Sequence, residues 1–145
     1  MRTFVYGASG HGKVVLDILL ASGAIVDGFI DDGRAPGTLV LGLAVAGGGD
    51  WLTAEAQKGD VAIALGIGDN AARRRVFERC RAAGASFVTA IHPRATVARS
   101  AHIGEGTVLM AGAVVNPDAV VGIGAIVNTG AAIEHDCVMG DFSHV

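Results

Sequence analysis

Apolar positions in the first part of the chain alternate between runs typical of buried strands and the spacing of an amphipathic helix. The run TFVYG predicts a first strand, and GKVVLDILLASG predicts a helix. The face of this helix expected to be buried carries Val14, Val15, Ile18 and Leu19. The next apolar run, AIVDGFIDD, predicts a second strand that ends in Asp31 and Asp32. Strand, helix and strand in this order predict a βαβ unit.

The same alternation continues to residue 92. Further strands are predicted over TLVLGLAV, DVAIALG and SFVTAI. Further helices are predicted over DWLTAEAQKG, with Asp50 as its N-cap, and over DNAARRRVFERCRAAG, which Gly84 closes. Alternating elements with crossover helices predict an α/β domain over residues 1–92, with a small parallel, Rossmann-like sheet covered on both faces.

From residue 93 onward the helical spacing gives way to a strict period of six. An aliphatic residue recurs at Val97, Ile103, Leu109, Val115, Val121, Val127, Ile133, Met139 and Val145. A small residue stands two positions before each, at Ala95, Ala101, Thr107, Ala113, Ala119, Ala125, Ala131, Cys137 and Ser143. Neither a strand nor a helix has this period. It fits a parallel β-helix with three flat faces, in which every third hexad stacks on the first, and predicts an all-β domain over residues 93–145.

The repeats reach Val145 in the middle of a hexad. A coil that stops here would leave open strand edges and a bare apolar stack. We therefore expect the β-helix to be truncated relative to a complete domain of this kind.

Composition and charge narrow the class of protein. The 22 glycines among 145 residues indicate many tight turns, because no Gly-X-Y period is present. A net charge of −3 argues against nucleic-acid binding, and we interpret the one dense basic run, Arg73, Arg74 and Arg75, as the solvated face of a helix. Two cysteines without a framework of spacings suit reduced thiols. With no apolar run of about 18 residues and no signal-peptide layout, we expect a cytoplasmic protein without membrane insertion.

The stretch GASGHGKVV, residues 7–15, is a near match to two phosphate-binding motifs and fits neither. Val14 stands where a P-loop requires Ser or Thr to bind magnesium. The glycines at Gly7, Gly10 and Gly12 also lack the dinucleotide spacing. What remains is a strand, a glycine turn and a helix start, which would aim free N–H groups at an anion such as a nucleotide diphosphate. Tight packing of strand against helix is the alternative explanation for the glycines, but it does not account for His11.

Five segments together resemble a known family. They are GASGHGKVV, FIDD, LGIGDNAARRR, IHPRATV and NTGAAIEHDCVMGDFSHV, and the likeness spans essentially the whole chain. Their combination resembles the bacterial nucleotide-sugar N-acetyltransferase and sialic acid O-acetyltransferase family (PglD/NeuD-like), within the left-handed β-helix acyltransferases. The resemblance implies a left-handed coil, acetyl-CoA as donor, a nucleotide-linked amino sugar such as a UDP-4-amino sugar as acceptor, a homotrimer, and a part in surface glycan or glycoprotein sugar synthesis.

The resemblance also implies roles for individual residues. It assigns the nucleotide sugar to Ser9, Gly10, His11, Asp31, Asp32 and Gly68. Gly68 follows a later strand, at the carboxyl edge where parallel sheets bind ligands. It further implies that His135 is the general base with Asp136 as its partner, that Asn128 lies near the reacting amine, and that His144 lies close to acetyl-CoA.

The segment AIEHDC suits the chemistry that this resemblance implies. An amine that attacks a thioester must lose a proton, and a neutral imidazole is an efficient acceptor near neutral pH. His135 stands two positions after the inward Ile133, so we expect it to project toward a neighbouring subunit. Either Asp136 or Glu134 could orient its ring. We expect no metal at His135, Cys137, Asp141 and His144, because Cys137 already fills a small-residue position of the repeat.

Two other functions stay open at this point. An enzyme of the same fold could acetylate a hydroxyl group of sialic acid. The coil could also serve only to trimerise the protein, without catalysis. The sequence chooses neither the nucleotide nor the sugar.

Overall fold

The first half of the molecule is an open sheet with helices on both faces. The structure, a computed structural model, describes all residues from 1 to 145. The helices are α1 (Gly10–Ala21), α2 (Gly49–Gln57) and α3 (Asn70–Ala82). The strands are β1 (Arg2–Tyr6), β2 (Gly28–Ile30), β3 (Leu39–Val40), β4 (Leu43–Gly47), β5 (Val61–Leu65) and β6 (Ser86–Phe87). They form one six-stranded sheet in the order β3-β4-β2-β1-β5-β6.

The centre of this sheet is parallel, as the apolar runs predict. β1 pairs in parallel with both β2 and β5, and every residue of β5 is buried. Val5 and Phe29 share a core cluster with α1, whereas Tyr6 and Ile30 share another with α2 and α3. Helices therefore cover the sheet from both sides, which is the usual environment of a strand that is apolar throughout.

The single strand predicted over TLVLGLAV is wrong, because this segment forms a hairpin. Its two arms, β3 and β4, pair antiparallel, and the chain reverses at Leu41 and Gly42. Both turn residues have positive φ, of 50° and 77°. Such a turn favours glycine. The sheet consequently gains an antiparallel edge strand that the prediction of a purely parallel sheet did not include.

The predicted buried face of α1 is wrong at one of its four positions. Val15, Ile18 and Leu19 are buried, but Val14 is 39% exposed. Leu16 lies on the buried face instead and is 1% exposed. A helix has about 3.6 residues per turn, so a face centred on 15 and 19 includes 16 and excludes 14.

Asp50 does not cap α2, contrary to the prediction. It lies in the first turn, and the N-cap is Gly48, which has no side chain to accept a hydrogen bond. The carboxylate of Asp32 supplies the acceptor from outside the helix, because its Oδ1 accepts the N–H of Gly49 at 2.7 Å. A carboxylate at a helix N-terminus is stabilised by the helix dipole.

Helix α3 carries clear signals at both ends. The carboxylate of Asp69 accepts the N–H of Ala72 at 2.8 Å, which caps the N-terminus. Gly84 follows the helix with a φ of 94° and ends it, as predicted.

The second half is a parallel β-helix built from the predicted repeats. Its strands are β7 (Ala90–Ile91), β8 (Thr96–Val97), β9 (His102–Ile103), β10 (Val108–Leu109), β11 (Val114–Val115), β12 (Val120–Val121), β13 (Ile126–Val127), β14 (Ala132–Ile133) and β15 (Val138–Met139). They form three sheets, β7-β10-β13, β8-β11-β14 and β9-β12-β15. All strand pairs are parallel, and Val108, for example, lies opposite Ala90 and Ile126. A side-chain hydrogen bond between adjacent coils, from the N–H of Ile123 to Asp141, also joins residues 18 apart. The predicted stacking of every third hexad is confirmed.

The aliphatic hexad residues form the interior of this coil. The inner cluster consists of Leu109, Val115, Val121, Val127, Ile133 and Met139, with Ala113, Ala119 and Ala125 between them. These alanines are 0% exposed, so a larger side chain there would not fit without moving the coil. At the last hexad position Val145 is 53% exposed.

The strand predicted over SFVTAI is divided between the two halves. Ser86–Phe87 pairs with β5 and completes the open sheet. Ala90–Ile91 pairs with β10 and is the first strand of the coil. A short apolar run does not reveal that its ends belong to different sheets.

The two halves also share a core. Ala90, Val108 and Ile126 lie on one sheet of the coil and belong to the same cluster as Leu16 and Leu19 of α1. This explains why that sheet is apolar on both of its faces. The two halves therefore pack as one body along α1.

A buried arginine links the halves at a second place, and it corrects the prediction that the basic run is solvated throughout. Arg74 and Arg75 are exposed, but Arg73 is 0% exposed. The guanidinium of Arg73 donates hydrogen bonds, at 2.6–3.1 Å, to the carbonyl oxygens of Ile67, Gly68, Gly124 and Phe142 and to Oδ1 of Asn70. Two of these carbonyls belong to the loop after β5, and two belong to corners of the coil.

We predict that Arg73→Met destabilises the protein by about 3 kcal/mol, whereas Arg75→Met changes stability by less than about 0.5 kcal/mol. Methionine fills most of the volume but donates no hydrogen bond, so several buried carbonyls lose their partner. Urea unfolding at a fixed protein concentration measures both values. Equal midpoints for the two variants would contradict this role of Arg73.

Candidate functional site

A cavity of about 400 Å³ lies at the carboxyl edge of the open sheet. It is lined by Tyr6, Gly7, Ser9, His11, Asp31, Asp32, Gly33, Gly66, Ile67 and Gly68. These residues follow or end β1, β2 and β5, whose carboxyl ends meet at one edge, where open α/β sheets bind ligands. Five of the six residues predicted for the nucleotide sugar therefore line one cavity. Gly10 does not line it, and the binding role of all six stays a prediction.

Close backbone contacts explain two of the three glycines in the turn after β1. A Cβ on Gly12 would overlap the carbonyl oxygen of Gly7, so α1 is packed directly against the turn. Gly7 has a φ of 105° and lies against the backbone of Gly66. Nothing lies within 4 Å of a Cβ built on Gly10. Packing therefore accounts for Gly7 and Gly12, but not for Gly10.

The N-terminus of α1 keeps hydrogen-bond donors available at the cavity. Ser9 is the N-cap residue, yet its side chain makes no cap hydrogen bond. The first helical hydrogen bond runs from the N–H of Lys13 to the carbonyl of Ser9. The N–H groups of Gly10 and His11 have no acceptor within the chain. Free donors at a helix N-terminus suit an anionic ligand.

The two acidic residues after β2, Asp31 and Asp32, form hydrogen bonds that hold other residues of the cavity in place. Oδ2 of Asp31 accepts the N–H of Ala8 at 2.9 Å and thereby fixes the glycine turn. Oδ2 of Asp32 accepts the hydroxyl of Tyr6 at 2.8 Å. The pKa of Asp32 is lowered, chiefly by the N–H of Gly49. Asp32 therefore stays ionised and offers its remaining acceptor capacity to the cavity.

Tyr6 is a cavity residue that the sequence reasoning did not identify. It is the last residue of β1, and its pKa is raised, first by burial and then by the hydrogen bond to Asp32. The hydroxyl therefore remains protonated and donates to the carboxylate. Its position immediately before the glycine turn was the available signal, since strand ends supply ligand contacts at this edge.

His11 is held neutral in the wall of the cavity. Its Nε2 is buried and has no hydrogen-bond partner. Burial, the charge of Arg73 and a smaller electrostatic contribution from His144 together lower the pKa of His11 to about 4. A neutral imidazole with a free ring nitrogen can donate to or accept from a ligand without carrying charge.

Asn128 and His144 contact each other across adjacent coils. Asn128 Nδ2 lies 2.9 Å from His144 Nε2, and because the amide nitrogen can only donate, the ring nitrogen accepts. The backbone of His144 also forms an isolated parallel β-bridge with Ile126. Arg73 joins this part of the coil to the cavity, because its guanidinium donates to the carbonyls of Phe142 and of the cavity-lining Gly68.

His135 and Asp136 form an exposed pair on the coil. His135 Nδ1 lies 2.7 Å from Asp136 Oδ2, and the two side chains are 75% and 70% exposed. The hydrogen bond to Asp136 raises the pKa of His135, and Glu134 adds a smaller charge effect in the same direction. The ionised carboxylate only accepts, so Nδ1 carries the proton and Nε2 is free to bind another.

The structure brings the predicted site residues together in two places rather than one. His135 and Asp136 do not line the cavity. They follow β14, which belongs to a different sheet of the coil from the one packed on α1. No group of three or more His, Cys, Asp or Glu side chains is arranged to hold a metal ion. None of the helices combines the length and the apolar character needed to cross a membrane.

An open α/β sheet with a ligand-sized cavity, joined to a parallel β-helix of hexapeptide repeats, defines a class of two-part β-helix proteins. Residues 2–80 match the family model described as the PglD N-terminal domain, and the chain belongs to this family.

Proteins similar to this chain include named acetyltransferases. UDP-N-acetylbacillosamine N-acetyltransferase of Bacillus subtilis (strain 168) is 35% identical over 116 residues, which are 74% of this chain and 50% of that protein. The chain thus spans half the length of this curated relative. PerB from Caulobacter crescentus, solved in complex with CoA and GDP-perosamine, is 38% identical with a TM-score of 0.92; the match covers 99% of this chain and 68% of PerB. The acetyltransferase domain of PglB from Neisseria gonorrhoeae FA1090, solved with acetyl coenzyme A, is 38% identical with a TM-score of 0.88. The match covers 99% of this chain and 69% of that chain.

We predict opposite outcomes for alanine at two glycines of the turn. Gly12→Ala is expected to lower stability by about 2 kcal/mol or more, because the new Cβ meets the carbonyl of Gly7. Gly10→Ala is expected to leave stability unchanged or raise it by about 0.5–1 kcal/mol, because alanine favours the helix. Thermal and urea unfolding compare the two directly. A Gly12→Ala protein as stable as wild type would show that the turn is not tightly packed.

Proposed function

We propose that the protein transfers an acetyl group from acetyl-CoA to the amine of a nucleotide-linked amino sugar. The observation that carries this proposal is the exposed His135–Asp136 pair, whose free ring nitrogen can take a proton from an attacking amine. The names of the similar proteins support the substrate class, since they include acetyltransferases of bacillosamine and perosamine nucleotides. The exact nucleotide and sugar are not part of the proposal.

The proposed reaction is a direct transfer. The neutral amine attacks the thioester carbonyl, and a carbon–nitrogen bond forms as the carbonyl oxygen gains negative charge. His135 Nε2 accepts the proton that the nitrogen loses, and Asp136 stabilises the resulting imidazolium. The carbon–sulfur bond then breaks, and the proton passes to the CoA thiolate, which leaves as the free thiol. No acyl-enzyme is needed, so Cys137 has no part in the reaction.

The cavity is the proposed site of the nucleotide sugar. The free N–H groups at the start of α1 suit the diphosphate, and Ser9, Asp31, Asp32 and Gly68 surround the space beside it. Asn128 is proposed to lie near the amine and His144 near acetyl-CoA. Their mutual hydrogen bond supports this placement, and so does Arg73, which links Phe142 of the coil to the cavity-lining Gly68.

A homotrimer is part of the proposal because the cavity and the His135–Asp136 pair lie apart in one chain. If His135 faces the cavity of a neighbouring copy, the two parts form one site between subunits. Acetyl-CoA is a cytoplasmic metabolite, so the reaction is proposed for the cytoplasm, in the synthesis of sugars for surface glycans or glycoproteins.

We predict that His135→Ala lowers kcat by a factor of about 10² to 10⁴. The assay measures thiol release from acetyl-CoA with UDP-, GDP- and dTDP-linked 4-amino sugars, and with sialic acid. His102→Ala is the matched control, because His102 is also exposed on the coil. Transfer to sialic acid alone would favour O-acetylation, and unchanged turnover in His135→Ala would remove His135 from the mechanism. Absence of transfer to any acceptor would favour the non-catalytic, trimerising function.

We also predict a specific pH dependence. The base must be neutral, so kcat/KM should fall as pH drops through the pKa of His135, which Asp136 raises above its ordinary value of 6.5. In Asp136→Asn the carboxylate is lost, and the acidic limb should move to lower pH while the plateau rate decreases. A pH profile of kcat/KM for both proteins tests this. A limb that stays in place would exclude His135 as the titrating group.

A further inference from the structure

The guanidinium of Arg73 contacts the wall of the cavity on one side and the coil on the other. Toward the cavity it donates to the carbonyl oxygens of Ile67 and Gly68, at 3.1 and 3.0 Å, and both of these residues line the cavity. Toward the coil it donates to the carbonyl oxygens of Gly124 and Phe142, at 2.6 and 2.9 Å. The reaction proposed above gives this arginine no part.

The corner of the coil at Phe142 leads directly to the Asn128–His144 pair. Phe142 stands two residues before His144, and the chain between them lies along β13, where the N–H of Ile126 donates to the carbonyl of Ser143 at 2.9 Å. Asn128 follows β13 and contacts the ring of His144. A displacement of this corner would therefore carry His144 with it.

Helix α3 packs closely on the same corner. The ring of Phe142 lies edge-on to that of Phe77, with 5.2 Å between the centroids, and the guanidinium of Arg74 lies 5.0 Å from the Phe142 centroid. A Cβ on Gly124 would lie 2.5 Å from the Phe142 ring, so little space is left on the side of the coil. These contacts hold the corner on α3, and Arg73 adds the contact that reaches the cavity as well.

The distance between the cavity and the coil matters for the proposed reaction. The amine of a ligand in the cavity has to meet a thioester beside the coil, and a misplacement of about 1 Å can lower the rate about 100-fold. A buried guanidinium without a carboxylate partner requires its carbonyl acceptors to stay in place. Arg73 therefore restricts the relative movement of the cavity wall and the corner at Phe142.

We infer that Arg73 is a positioning residue, which holds the Asn128–His144 pair at a fixed distance from the cavity, so that a ligand bound there is presented to the coil. This inference rests on the proposed function, because it requires an acceptor in the cavity and acetyl-CoA beside His144. It adds a residue that does not line the cavity and that acts through the backbone of others.

The test compares Arg73→Lys with Val108→Ala. Lysine keeps the charge, but its single ammonium group cannot reach carbonyls on both sides as the planar fork does. Val108 is buried in the cluster that joins α1 to the coil, the other place where the two halves pack together, and it does not line the cavity. Both variants should unfold at a lower urea concentration than wild type, so Val108→Ala controls for loss of stability.

The acetyl-transfer assay separates positioning from binding. We expect Arg73→Lys to lower kcat by a factor of about 10 to 100, whereas the Kd of UDP and GDP, measured by isothermal titration, changes less than about threefold. In Val108→Ala we expect kcat to stay within about twofold of wild type. Equal kcat values in the two variants would overturn the inference.

The ring of His144 reports the position of the coil without any assay of activity. Oδ1 of Asn128 accepts the N–H of Thr129 at 2.7 Å, so the amide nitrogen faces His144 and donates to its Nε2. Neutral His144 therefore carries its proton on Nδ1. NMR of the two ring nitrogens, recorded where the ring is neutral, identifies this tautomer. We expect it in wild type and in Val108→Ala, and a mixture of both tautomers in Arg73→Lys.

A milder variant keeps the inference testable if Arg73→Lys does not fold. The exposed Asn70 accepts from Nη2 of Arg73 at 2.8 Å, so Asn70→Ala frees the guanidinium at one point and should lower kcat about threefold. Wild-type kcat in Asn70→Ala, or an unchanged His144 tautomer in Arg73→Lys, would overturn the inference. A mixed tautomer in Arg73→Lys, in a protein without acetyl transfer, would reject the proposed function and keep the positioning role of Arg73.

Discussion

The buried guanidinium of Arg73 is the constraint on which the joint between the two halves depends. It carries a positive charge into a place with no carboxylate contact, and only carbonyl dipoles and one amide oxygen compensate it. Arginine suits this place better than lysine, because a planar fork of five donors can reach acceptors in several directions at once. Removing the charge from water is costly, so the acceptors must stay where they are. The loop after β5 and the corners of the coil are therefore held in fixed relation.

That fixed relation also affects the electrostatics of the cavity at the carboxyl edge of the open sheet. The loop that Arg73 holds supplies Ile67 and Gly68 to the cavity wall. The charge of Arg73 is one reason why His11 stays neutral. A buried cation close to a cavity favours anionic ligands at short range, since screening by solvent is weak there. The same side chain thus stabilises the fold and adds positive potential near a cavity that also contains Asp31 and Asp32.

Sequence periodicity predicted the β-helix, because equivalent residues of successive hexads occupy equivalent environments there. Each hexad specifies one inward residue and one small residue on each face of the coil, so the coil follows from spacing alone. Arg73 shows the limit of such reasoning. Its neighbours Arg74 and Arg75 are exposed, and nothing in the run of three arginines tells which one faces carbonyls from residues 124 and 142, far along the chain. The hairpin at Leu41 was missed for a related reason, because an apolar run of strand length does not show where it turns.

The candidate site was predictable where it depends on strand ends, because parallel strands bring their carboxyl termini to one edge. The protonation states of its residues were less predictable from the sequence. His11 and His135 have the same ordinary pKa, yet burial beside Arg73 lowers the pKa of one and an adjacent carboxylate raises that of the other. The two pKa shifts give one residue type two different properties. His11 is a neutral hydrogen-bonding group in the wall of a cavity, and His135 is an exposed base with increased affinity for protons. The reaction proposed above uses both, because one neutral group contacts an anionic ligand and one base takes a proton from an amine. Within one chain the two histidines lie apart, since His11 lines the cavity and His135 does not.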